Sequence, residues 1–267
     1  MSAKDRSAFA EQFSIVTAIL RDGWHILRRR GPSQIQFWFI ALAVGIAAGF
    51  AALFFRKGIF ALQAALYRTD DPNLLHSHVA TLPWWMIVLI PVCGGLIVGG
   101  ILHWFTADGR LRNVSDVIEG AALHGGRVET KAGFASALVS LITLSSGGSS
   151  GREGPVVHLA GVMASWVSER IDADGITGRD LLGCAVAAAV SASFNAPIAG
   201  ALFALEVVLR HFAVHAFAPI VIAAVAGTVI NRLEFGGLTE FVLNTPGQLQ
   251  FYVELPAFLI LGLVSGL

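Results

Sequence analysis

The chain has 267 residues, of which 55% are hydrophobic and only 13% charged, and its 18 basic and 18 acidic side chains cancel. Mean hydropathy is +0.70. This balance argues against a soluble helical domain, which needs amphipathic helices and a charged surface, and the zero net charge leaves no basic field for nucleic acid. Cys93 and Cys184 lie in separate apolar runs, so they read as small packing residues and not as a metal site or redox pair.

Residues 1–35 form a basic segment in which Phe9, Phe13, Ile15, Val16, Ile19, Leu20 and Trp24 recur at helical spacing among Lys4, Arg6, Arg21 and Arg28 to Arg30. It reads as an interfacial amphipathic helix, and the arginines just before the first span place the N-terminus in the cytoplasm. A solvated charged face without membrane contact is the other reading of this segment. No apolar region with a small-residue cleavage site opens the chain, so a retained N-terminus is expected.

A span needs roughly 20 mainly apolar residues, and stretches 37–55, 83–105, 181–205 and 212–231 reach that length without a charged side chain. One long helix is expected over about 36–67, with Gly45 and Gly49 at a spacing that admits a second backbone. The polar loop 68–81 follows, carrying Asp70, Asp71, Pro72, His76 and His78. Two histidines without a further ligand do not make a metal site. The next span starts at Trp84; Gly95 and Gly99 repeat the close-packing spacing, and Trp84, Trp85 and Trp104 sit where aromatic belts form. In the polar stretch 107–131, Val114, Val117, Ile118 and Ala121 predict a short helix that cannot span.

Runs 132–151 and 154–168 are rich in Gly and Ser and read as broken or partial spans. After the charged loop 169–180, the apolar run 181–209 is interrupted by Phe194-Asn195-Ala196-Pro197, where proline suits the first turn of a new helix better than the interior of an old one. A further span covers 215–231, and an apolar helix starts near Pro256. The sequence stops inside that helix at Leu267, so it is expected to be part of a longer protein.

The strongest local signal is Gly147-Gly148-Ser149-Ser150-Gly151-Arg152-Glu153-Gly154-Pro155. It sets non-helical backbone, hydroxyls and a carboxylate at the start of a helix at membrane depth, where irregular chain is tolerated only around a protein-lined or water-lined cavity. A helix N-terminus offers unpaired N–H groups and a positive dipole end, which suits an anion. Glu153 beside it can compete with a dissolved anion, and its protonation or movement would vacate the site. The plain alternative is a capping glutamate among glycines that only permit close packing.

Gly151 to Pro155 resembles the Gly-Lys/Arg-Glu-Gly-Pro signature of the CLC family of chloride channels and chloride/proton antiporters. Residues 194–206, Phe-Asn-Ala-Pro-Ile-Ala-Gly-Ala-Leu-Phe-Ala-Leu-Glu, resemble the helix-break-helix that follows the signature in that family. The resemblance implies an all-α membrane protein with tilted and broken helices: the first of two inverted repeats over 36–250, and the incomplete start of the second over 251–267. It implies transport of chloride or another small anion across a lipid bilayer, no cofactor, and a homodimer joined through helices in 196–231. It casts Glu153 as the gate and the Gly151, Arg152 and Gly154 amides as anion ligands.

Two departures follow from the same comparison. Where the family has Gly-Ser-Gly-Ile-Pro, this chain has Arg112-Asn113-Val114-Ser115-Asp116, so Asn113 or Ser115 would stand in for the serine ligand. Where family antiporters commonly carry two successive glutamates, this chain has Glu206-Val207, and a hydrocarbon cannot relay a proton; a channel-like mode is expected, with chloride/proton or fluoride/proton antiport as the alternative. The remaining ligands of the family, a Gly-x-Phe-x-Pro loop and a late tyrosine, belong to the second repeat. A remote rival is an intramembrane serine hydrolase using Ser150 and His158, which requires a hydrogen bond between them.

Overall fold

Ser33 opens the first helix by exchange: its Oγ accepts the Gln36 N–H at 3.4 Å while Gln36 Oε1 accepts the Ser33 N–H at 2.9 Å. The computed structural model describes residues 33–69, 75–106, 108–236 and 251–266, so the amphipathic segment read at 1–35 lies almost wholly outside the described residues, as do residues 70–74 of the polar loop. All regular structure among the described residues is helical. Residues 1–237 hold one compact unit and 238–267 a second.

In the first unit, α1 (Gln34–Tyr67) has 34 residues, longer than the hydrocarbon core is thick even at full tilt allowance for roughly 20 residues. It is followed by α2 (Leu75–Val79), α3 (Trp84–Phe105), α4 (Val114–Leu123), α5 (Thr130–Ser145), α6 (Glu153–Arg170) and α7 (Gly175–Phe194). Then come α8 (Pro197–Phe203), which passes into a π-helical stretch (Ala204–Leu209), and α9 (Val214–Phe235). Helices α1, α3 and α9 are long and apolar enough to cross a membrane.

The core is the mutual packing of α1, α7 and α9. It is possible at close range because the facing residues are small. A Cβ on Gly45 would lie 2.7 Å from the Ala223 Cα, and one on Gly49 would lie 3.0 Å from the Gly227 Cα. Along α7, Cys184, Ala185, Val186, Ala187, Ala188 and Ala189 are wholly buried, as expected of a helix with no polar face. The close-packing expectation for α1 is therefore met, but the one for α3 is not. Gly95 and Gly99 have open space around their Cβ positions, and it is Gly94 that abuts Ser146. The spacing permitted a contact without deciding which face would make it. Trp84 and Trp104, at the two ends of α3, are 77% and 80% exposed.

The run 181–205 is not one span. Asn195 ends α7 in the left-handed conformation (φ 54°), Pro197 falls in the first turn of α8, and Asn195 Oδ1 accepts a hydrogen bond from Arg232 Nε on α9 at 2.7 Å. The break is thus tied to the core. In the second unit, α10 (Phe251–Gly266) starts ahead of the expected position, with Pro256 inside it. Proline there is the sixth residue, past the first turn, so it removes one bond of the helical ladder.

A candidate anion site at two helix starts

Helix α5 ends at Ser145, and the chain reaches α6 through an irregular stretch. Gly147 takes φ +95°, which a side chain would strain, and the Gly148 N–H returns to the Thr143 carbonyl at 2.8 Å. Arg152 precedes the first residue of α6, and its side chain makes no capping hydrogen bond to this end. The first amides of α6 are therefore not covered by a protein acceptor of the usual kind, and the dipole end is left to attract negative charge.

Glu153 supplies that charge. Its side chain is 37% exposed, and Oε1 lies 3.7 Å from Arg152 Nε. Its Oε2 sits 3.1 Å from where a Gly151 Cβ would be, so the carboxylate is folded back over Gly151. Together with Arg56, Ile59, Phe60, Gln63, Leu144, Ser150, Gly151 and Arg152 it lines a cavity of about 380 Å³. Arg56 is the residue that sequence reasoning missed. It lies on α1 with its guanidinium 4.2 Å from the Phe235 ring centroid, and the signal was an arginine within a long apolar helix.

The start of α4 comes to the same place. Asn113 Oδ1 lies 2.9 Å from the position of a Gly154 Cβ, so Asn113 and the first turn of α6 are in contact. Ser115, exposed like Asn113, behaves differently in that its Oγ donates to Asp116 Oδ2 at 3.4 Å. That same Asp116 oxygen accepts the Asn113 N–H at 2.7 Å, and Oδ1 accepts from Arg110 Nη2 at 2.9 Å. Hence the start of α4 carries a carboxylate tied by local hydrogen bonds, and the start of α6 carries the Glu153 carboxylate, 3.7 Å from Arg152 Nε.

Arg112 fixes the loop before α4. It bonds Asp108 Oδ2 at 2.7 Å and Glu129 Oε2 at 2.9 Å, while its N–H donates to Ser136 Oγ at 2.9 Å. The hydrogen bond from Arg112 holds the exposed Asp108 carboxyl below the usual carboxylate range. These groups line a second cavity of about 650 Å³, with Arg110, Asp116, Glu119, His124, Arg127, Val128 and His158.

Val207 is 39% exposed on the π-helical stretch, where the adjacent, exposed Glu206 is the titratable side chain. The hydrolase reading fails on geometry: Ser150 lines the smaller cavity, while buried His158 lines the other and neither of its ring nitrogens has a hydrogen-bond partner among the described residues. His78 Nε2 lies 3.1 Å from the Tyr67 carbonyl, and among the described residues there is no group of three or more His, Cys, Asp or Glu side chains that could hold a metal.

The starts of α4 and α6 meet beside Glu153 in an all-helical unit with, among the described residues, three helices long and apolar enough to cross a membrane. Residues 94–267 match the family model described as voltage gated chloride channel, and the chain belongs to that family. It is 31% identical over 201 residues to a putative chloride channel protein ClcB-like of Ralstonia nicotianae, covering 74% of this chain and 46% of that protein. It is 30% identical over 234 residues to the voltage-gated ClC-type chloride channel ClcB of Yersinia pestis, covering 85% of this chain and 55% of the relative. The chain thus spans about half the length of these relatives. Among solved structures, a CLC-type fluoride/proton antiporter superposes with a TM-score of 0.65 at 23% identity, over 85% of this chain and 54% of its own. A slow cyanobacterial chloride/proton antiporter gives 0.68 at 19% identity, over 87% of this chain and 54% of its own. The fold is therefore that of a CLC half, in an integral membrane protein.

Proposed function

We propose that the full-length protein passes small anions, chloride foremost, across the bacterial plasma membrane, with its N-terminus cytoplasmic and Glu153 as the gate. The observation that carries this reading is the uncapped start of α6. The Glu153 carboxylate there lies over Gly151, in a cavity that Arg56 and Arg152 also line. An anion and the carboxylate seek the same amides and the same positive dipole end, so one displaces the other. The Gly151, Arg152 and Gly154 amides serve the anion, and Asn113, in contact with Gly154, serves as the second helix's ligand in preference to Ser115.

Conduction is channel-like, because Val207 offers no proton site where the family's antiporters commonly have one. In liposomes carrying the full-length protein, Glu153→Gln is expected to raise anion flux at neutral pH several-fold, to the level the parent reaches when its carboxylate is protonated. Parent and variant fluxes equal at neutral pH, with equal incorporation, would remove Glu153 from the gate. In the same liposomes a chloride gradient should move chloride to its equilibrium potential without driving protons uphill. Sustained uphill proton movement, abolished by Glu153→Gln, would establish antiport instead.

A further inference from the structure

The gate does not account for His158. Its side chain is 1% exposed on α6, and both Nδ1 and Nε2 lack a hydrogen-bond partner among the described residues. A buried polar ring left unpaired is costly, and native chains rarely keep one without a use. His158 cannot simply turn away, since Gly133 on α5 packs against it: a Cβ there would fall 2.7 Å from the ring. The ring instead lines the larger cavity. The charged or titratable side chains around that cavity are Asp108, Arg110 and Arg112 before α4, Asp116 and Glu119 on α4, and His124, Arg127 and Glu129 between α4 and α5.

His158 also stands close to the anion site. It lies five residues beyond Glu153, about 7.5 Å along the axis at 1.5 Å per residue, and helical side chains lean toward the N-terminal end. We propose that His158 is a proton-binding site coupled to anion binding at the start of α6: proton uptake from the charged cavity places a positive charge behind the α6 amides and tightens anion binding. The inference rests on the α6 start being the anion site, but not on Glu153 being its gate. It needs no proton transfer across the membrane, so it is compatible with Val207. Binding linkage is reciprocal, so an anion at α6 must raise the affinity of His158 for a proton by the same factor. A unit charge at this separation in partly screened protein is worth on the order of tenfold or more in affinity.

The test uses full-length Glu153→Gln in detergent, which removes the carboxylate as a titrating competitor. Chloride binding is measured by calorimetry at about pH 4 and about pH 8, because burial disfavours the charged imidazole and moves its titration to the acid side of the ordinary histidine range. Roughly tenfold tighter binding at the acid end is expected, with proton uptake when chloride is added in weak buffer. Both should vanish in Glu153→Gln/His158→Gln and persist in Glu153→Gln/His124→Gln. Equal affinity at the two pH values in Glu153→Gln, or an acid effect that survives loss of His158, overturns the proposal. Loss of the acid effect on replacing His124 overturns it too. Should the His158 variant fail to fold, imidazole NMR of histidine-labelled Glu153→Gln gives a separate answer, with each histidine signal assigned by selective substitution at the other positions. A His158 signal that titrates and moves to higher pH with chloride supports the coupling, and one indifferent to chloride overturns it. A Glu153 variant with parental flux would instead defeat the gate reading while leaving this measurement intact.

Discussion

Asp116 and Glu153 are two carboxylates at two helix starts with opposite commitments. Asp116 is held by the Asn113 N–H and by Arg110, while Glu153 faces Arg152 at 3.7 Å. A carboxylate fixed in the first turn of α4 offsets the attraction that this dipole end would exert on a dissolved anion. Asp116→Asn should therefore raise chloride affinity several-fold, a change readable by calorimetry on the full-length protein. Weaker or unchanged binding in a folded Asp116→Asn protein would mean that the start of α4 does not contribute to the anion's field. Arg110 loses an ionic partner in that variant, but it is 61% exposed at the side chain, so water can take its place at little cost.

At the scale of elements, the two glycine pairs make opposite demands. Gly45 meets the backbone of α9, where an added Cβ would lie 2.7 Å from the Ala223 Cα, whereas a Cβ on Gly95 of α3 would meet nothing within 4 Å among the described residues. Gly45→Val is expected to force α1 from α9 and destabilise the core by about 1–3 kcal/mol, the usual scale for overpacking. Gly95→Val should be close to neutral. Thermal unfolding in one detergent separates them, and equal losses would refute the assigned faces. Helix α7 illustrates the same dependence on partners. Its start is local chemistry, with Asp174 accepting the Thr177 N–H at 2.8 Å, but its burial exists only because α1 and α9 close around it. The bond from Thr177 also holds the Asp174 carboxyl below its ordinary value, so the cap is complete at neutral pH and fails only as pH falls through that lowered value.

For the whole molecule, the segment over residues 196–231 leaves large apolar side chains outside, including Ile198, Leu202, Phe212, Val214, Phe217 and Val225. In a bilayer such a surface can meet lipid or another subunit. The family resemblance favours a second copy, and the site at α4 and α6 lies within one chain. Dimerisation through this face should therefore appear as cross-linking of a cysteine introduced at Ile198 in membranes, with anion binding unaffected by dilution to monomers. Exclusively monomeric protein in mild detergent, with no cross-link in membranes, would assign the face to lipid.

Much of this was legible in the sequence because it depends on neighbours along the chain. Apolar run length announced α1, α3 and α9, the break before Pro197 announced a proline opening of a new helix, and Gly151-Arg152-Glu153-Gly154-Pro155 announced an irregular entry to a helix. What periodicity could not supply was which face of an all-apolar helix meets which neighbour, because with no polar side there is no amphipathic signal to orient it. That is why Gly95 and Gly99 were read as a contact and Gly94 makes it, and why Arg56 of α1 could not be placed beside Glu153. The claim of Asp116 on the α4 start is local, three residues from Asn113, whereas Asn113 against Gly154 and the ring of His158, unpartnered among the described residues, were decided only by tertiary packing. Each of the latter two depends on segments separated by tens of residues being pressed together by small side chains, and a polar group's partners are fixed only once its helix has been turned toward a particular neighbour.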